Sequence, residues 1–195
     1  MNKLTHDDLM GLEEYSRARD EFRSRIMAHK KHRIIKLGPN MRLHFEDRLV
    51  MQYQIQEMLR AEKIFDAGGI QEELDTYNPL IPDGRNWKAT LMIEYDDPEE
   101  RADALRKLLG VEKQIWMQVE GHEKVNPVTD EDLERETEDK TSSVHFLRFE
   151  LTDDMVKAAK QNAAISLGVD HPFYSCQCDP LEDRYRSSLA GDLSW

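Results

Sequence analysis

The strongest periodicity in the chain runs through residues 48–66, where Met51, Ile55, Met58, Leu59 and Phe65 share one arc when positions are laid out at about 100° per residue. Glu62 falls inside that arc, between Ile55 and Met58. The spacing therefore predicts a helix with a carboxylate in the centre of its buried stripe. A charge there is costly unless a partner from another element, Arg or His by preference, completes its hydrogen bonding. Beyond Gly68-Gly69 a shorter helical pattern follows at 69–77, Ile70, Leu74 and Tyr77 with Glu73 beside them, and it stops at Tyr77-Asn78-Pro79-Leu80-Ile81-Pro82.

Elsewhere the period switches to two. Met41, Leu43 and Phe45 alternate with Arg42, His44 and Glu46, which predicts a hairpin of residues 32–37 and 41–46 joined by Gly38-Pro39-Asn40. Ala89, Leu91, Ile93 and Tyr95 mark a strand at 88–95, and further strands are predicted at 114–120, 143–151 and 164–170. Helices are predicted within 6–30, where Thr5 and Asp8 resemble a cap, and from Asp97-Pro98-Glu99-Glu100 to about Gly110. A short helix should begin at Thr152, and a last one in the tail after Asp179-Pro180 carries Leu181, Tyr185 and Leu189. Helices and strands mix without a regular strand–helix–strand beat, so the expected fold is α+β, a largely antiparallel sheet packed with several helices in a single domain. The stretch 121–142 is rich in Asp and Glu and poor in apolar residues, and is expected to be a mobile acidic loop.

Composition changes the picture chiefly by exclusion. The chain has 195 residues, 39 acidic against 27 basic, for a net charge of −12. Nucleic acid and anionic membrane are disfavoured as partners. No apolar run approaches the roughly 20 residues that span a bilayer, and the acidic N-terminus lacks a signal segment, so a cytoplasmic location is expected. The basic run His29-Lys30-Lys31-His32-Arg33 fits a solvated helix end, with a phosphate or RNA contact as the alternative.

Candidate chemistry gathers in three places. Gln54, Glu62, Glu73, Tyr77 and Asn78 form one inward-looking polar set, readable either as a structural ion-pair network or as a ligand site. His145, on a strand face with Leu147 and Phe149, and His171, one step beyond Ile165, Leu167 and Val169, are strand-end imidazoles that such a site would recruit; Arg148 points away from His145. Each reads equally as a satisfied core or rim histidine. Cys176 and Cys178 are too close in sequence for an ordinary disulfide and too few, even with His171, for a usual zinc site, so no metal is expected. Dinucleotide, phosphate-loop, serine-hydrolase, zincin and di-iron helix signatures are all missing, which leaves enzymatic activity and any cofactor open.

Several runs resemble a bacterial family catalogued only as a domain of unknown function. They are the Lys3-Leu4-Thr5 start with Asp7-Asp8-Leu9, Phe45-Glu46-Asp47-Arg48, the stretch Gln54 to Glu62, Gln71-Glu72-Glu73-Leu74, Leu80-Ile81-Pro82, Ala89 to Glu94, His145 to Phe149 and Gly168 to Tyr174. No catalytic residues are assigned in that family. Its members tend to be encoded near a rubrerythrin and an iron–sulfur oxidoreductase resembling a heterodisulfide reductase subunit. The resemblance thus implies an accessory or partner role in a redox, oxidative-stress system, with homo-oligomerisation left open. The rival expectation is a small-ligand or metal-binding enzyme with a pocket around Glu62, Glu73, His145 and His171.

Overall fold

The alternating segments form two antiparallel sheets. In the computed structural model, which describes residues 2–131, 137 and 139–194, strands β1 (Ile34–Leu37), β2 (Met41–Phe45), β3 (Asn86–Ile93), β5 (Val128–Thr129) and β6 (Val144–Glu150) join in the order β1-β2-β3-β6-β5. Strands β4 (Ile115–Val119), β7 (Ile165–His171) and β8 (Tyr174–Cys178) make the second sheet in the order β4-β7-β8. The apolar faces of both sheets share one core, which holds Leu43, Phe45, Trp87, Leu91 and Phe149 from the first and Ile115, Met117, Ile165, Leu167 and Val169 from the second. Strand β7 is buried on both sides. Its Gly168 lies under the indole of Trp116, where a Cβ would come within 2.5 Å of the ring. Among the described residues no helix is long and apolar enough to cross a membrane.

Helices α4 (Pro98–Lys107), α5 (Asp153–Lys160) and α6 (Asp183–Ala190) flank the sheets. The caps of α4 and α5 are those the sequence predicts: Asp97 accepts from the backbone N–H groups of Glu99 and Glu100, and the Thr152 hydroxyl accepts from Met155 N–H. Helices α1 (Leu12–Lys30), α2 (Arg48–Glu62) and α3 (Ala67–Tyr77) build separate helical cores, one around Val50, Met51, Ile55, Leu59, Leu74 and Ile81, the other around Tyr15, Phe22, Ile26 and Tyr53. The fold is a single α+β domain, as expected.

Four expectations need correction. Helix α2 stops at Glu62 rather than at 66, because Lys63 turns left-handed (φ 57°) and caps it. Glu62 has the predicted angular phase but sits on the last turn, beyond the end of its packing partners, and is exposed. Phe65, placed on the same arc, lies past the helix and is 80 % exposed. Gly68 and Gly69 do not separate two helices. They form the first turn of α3, where the Asp66 carboxylate accepts from Gly69 N–H, and the gap they leave admits Asp66 and Ile64.

The expected acidic loop includes 132–136 and 138, which lie outside the described residues. Before them, β5 pairs with β6, and Asp130 ends the pairing. Its N–H donates to Phe146 O at 2.9 Å, and its carboxylate accepts from Phe146 N–H at 3.0 Å.

Candidate functional site

The sheet of β1, β2, β3, β6 and β5 has a second face, and its polar residues are the ones the alternation assigned outward. Cross-strand register aligns His44 with Thr90 and Phe146 in one row. The next row holds Glu46, Lys88 and Arg148, with Lys88 opposite Arg148 and Glu46 N–H donating to Lys88 O at 2.8 Å. The end of α3 and the 3-10 turn after it, Asn78–Leu80, lie across this face. Between them is a cleft of about 520 Å³ lined by Glu46, Lys88, Phe146 and Arg148 from the sheet side and by Tyr77 and Leu80 from the roof, with mainly apolar walls.

The roof is fastened by ammonium groups. Lys88 Nζ donates to Pro79 O at 2.5 Å, and Lys3 Nζ donates to Asn78 O at 2.7 Å and Ile81 O at 3.0 Å. Burial lowers both lysine pKa values, and the charge of Lys88 lowers that of Lys3 further. Asn78 is part of the same fastening: its side chain accepts from Leu4 N–H at 2.8 Å and donates to Leu4 O at 2.9 Å. At the rim Arg148 is held by two carboxylates. Its Nε and Nη2 reach Glu131 at 2.8 and 2.9 Å and its Nη1 reaches Glu150 at 2.5 Å, which pushes its own pKa up and that of Glu131 down.

Glu46 is the unusual group. It is 8 % exposed and its hydrogen bond comes from the Thr90 hydroxyl at 2.7 Å; among the described residues no cation lies within ion-pair distance. Burial pushes its carboxyl above the usual range, against the milder pulls of the Thr90 hydrogen bond and then of Lys30 and Arg33. In the neighbouring row, burial pushes the His44 imidazole down, and His44 Nε2 is buried with no hydrogen-bond partner among the described residues.

Of the residues singled out from sequence, Tyr77 and Arg148 line this cleft. Asn78 fastens its roof. Glu73 is half-buried on α3, its pKa raised first by burial and then by the charge of Glu62, so those two carboxylates are neighbours; Gln54 is half-buried on α2. His145 and His171 do not meet them, because both lie on strands whose inward face is the shared core. His145 is fully buried, with Nδ1 at 2.6 Å from Asp130 and Nε2 at 2.8 Å from the Thr141 hydroxyl. His171 Nε2 donates to Leu109 O at 3.0 Å while Nδ1 accepts from Phe173 N–H at 3.2 Å. Cys176 and Cys178 are free thiols on β8, and burial pushes Cys178 up. Among the described residues no group of three or more His, Cys, Asp and Glu side chains is arranged to hold a metal ion. Sequence reasoning missed Glu46 and Lys88, although each stood on the polar side of a recognised alternation.

The basic run is also resolved into parts. Lys31 and His32 are exposed, as a helix end should be, whereas His29 pairs with Asp47 at 2.5 Å and Arg33 is buried against Asp192.

Fold and site together define an α+β protein with a helix-roofed, sheet-floored cleft that carries a buried acid. The chain belongs to a family described as "Protein of unknown function (DUF3501)", which matches residues 3–193. It is similar to a crystal structure at 1.90 Å resolution of a novel protein of unknown function from Burkholderia pseudomallei K96243, with 49 % identity, a TM-score of 0.93, and 99 % of this chain and 100 % of that one covered. No protein with a curated description matches.

Proposed function

We propose that this protein binds a small organic molecule in the cleft between α3 and the polar face of the first sheet. The observation that carries the reading is Glu46, a nearly buried carboxyl at an apolar-walled cavity with a single hydroxyl partner. A polar group so placed is costly for folding alone, and convergent polar groups in an apolar cleft are the usual anatomy of a ligand site. The test is a fragment screen by two-dimensional NMR on the ¹⁵N-labelled protein. Shifts should concentrate at the amides of Thr76, Tyr77, Lys88, Ala89 and Phe146. Hits that scatter over the surface, or no hits at millimolar concentrations, would remove the reading.

A second reading follows from the surface. Phe65 is 80 % exposed and Phe173 68 % exposed on a chain of net charge −12, which suits an accessory protein docking on a partner. The partner suggested by the family resemblance is a rubrerythrin or an iron–sulfur oxidoreductase, with a cytoplasmic redox role. Pull-down from a native extract at low and physiological salt should recover one of them, and recovering neither would count against this role.

A further inference from the structure

The cleft also specifies which chemical groups its ligand carries; this step rests on the cleft being the ligand site. Glu46, one residue past the end of β2, faces Lys88 of β3, and side chains at facing positions leave the backbone roughly 5 Å apart. Their roles differ. An ammonium has three donors, and Lys88 gives one to Pro79 O, so two N–H groups have no hydrogen-bond acceptor among the described residues. Arg148 is the poorer candidate, because its charge is already met by two carboxylates, Glu131 and Glu150. Lys88 is therefore the cation left for an anionic group. Burial pushes Glu46, which is nearly buried and contacted through its side chain by one hydroxyl, towards the un-ionised acid, and in that form its O–H is a donor for an acceptor on a ligand. Phe146, Tyr77, Pro79 and Leu80 supply apolar surface on either side.

We propose that the cleft takes an apolar oxo-carboxylate, a molecule whose carbonyl oxygen accepts a hydrogen bond from the Glu46 carboxyl and whose carboxylate, a few bonds away, sits against the Lys88 ammonium. The hydrocarbon remainder packs on Phe146 and Tyr77.

Three probes of one shape separate the contributions: 3-benzoylpropionate, which has both groups, 4-phenylbutyrate, which lacks the ketone, and butyrophenone, which lacks the carboxylate. Dissociation constants come from the shifts of cleft amides in the full-length labelled protein. The complete probe should bind about five- to tenfold more tightly than either truncated one, the ratio that one hydrogen bond or one ion contact supplies. Glu46→Leu should erase the preference for the ketone, Glu46→Gln should keep it because a carboxamide still donates, and Lys88→Met should erase the preference for the carboxylate. If a variant does not fold, the three probes on the parent protein still decide. Equal binding of 4-phenylbutyrate and 3-benzoylpropionate, or of butyrophenone and 3-benzoylpropionate, overturns the assignment while leaving the cleft a binding site. The same holds if none of the three moves the cleft amides but unrelated fragments do. If nothing moves them, the assignment and the binding site fall together.

Discussion

The buried polar residue of α2 is Gln56, not Glu62. Its carboxamide accepts from Met10 N–H at 2.6 Å and donates to Met10 O at 3.2 Å, so one side chain satisfies both backbone groups of a residue in the turn before α1. An amide does this because it carries donor and acceptor together; a carboxylate cannot. Gln56→Ala leaves both groups of Met10 unpaired beside a cavity and should destabilise the fold by about 2–4 kcal/mol in urea denaturation. Exposed Glu62→Ala should stay within about 0.5 kcal/mol of the parent. Reversal of that order would mean that α2 packs with a different phase.

At the scale of elements, strands and caps were legible because both are local signals. Alternation marked β2, β3, β6 and β7 to within two residues, and Asp97 and Thr152 announced the helices they cap. What could not be read is what depends on neighbours distant in sequence. Glu46 follows β2 while Lys88 and Arg148 come from β3 and β6, and only the sheet register sets them in one row. The end of α2 was hidden for a related reason: periodicity reports the angle of a side chain, not whether anything remains to pack against it. The junction of α1 and α2 shows the same dependence. Arg19 grips Glu57 through two bonds of 2.8 Å, and Tyr15 donates to the same carboxylate at 2.7 Å. The hydrogen bonds from Arg19 hold the Glu57 carboxyl down at about 2, from an ordinary value of 4.5. A depressed pKa stabilises the fold while the group is ionised, so the contribution is complete above about 4.5 and disappears as pH falls towards about 2. Denaturation of the parent and Glu57→Gln across this range should show a gap that closes on acidification. A gap independent of pH would show that the carboxylate charge does not link the helices.

For the whole molecule the keystone is Arg33, which is 2 % exposed. Its guanidinium donates to Phe45 O, Glu46 O, the Ser188 hydroxyl and the Asp192 carboxylate, and lies 3.3 Å from Asp47, so it ties the end of α1 to the start of α2 and to the segment after α6. Burial nevertheless pushes Asp192 up to about 6 from an ordinary 3.8. A raised acid holds its proton more tightly in the folded chain, so its contribution favours folding at low pH and is lost as pH rises through about 6. Arg33→Met removes the cation and raises that pKa further. The variant should lose about 3–5 kcal/mol at neutral pH, lose less in acid, and recover much of the deficit when Asp192→Asn is added. Equal losses at both pH values would assign the effect to packing alone.

Two residues of β5 and the carboxylate beyond them also bear on how copies of this chain meet. A sheet edge with free N–H and C=O groups invites a strand from another molecule, and β6 would present such an edge. Val128 and Thr129 cover part of it, and Asp130 then answers both the N–H and the C=O of Phe146. The edge is closed by a side chain where a strand would otherwise continue, leaving no template for an incoming strand at that step. Asp130→Ala reopens the N–H of Phe146 and withdraws the carboxylate from His145, so light scattering of the concentrated variant should rise with time while the parent stays clear. A rise in scattering would identify Asp130 as the side chain that keeps this edge from serving as a template for fibrous self-association.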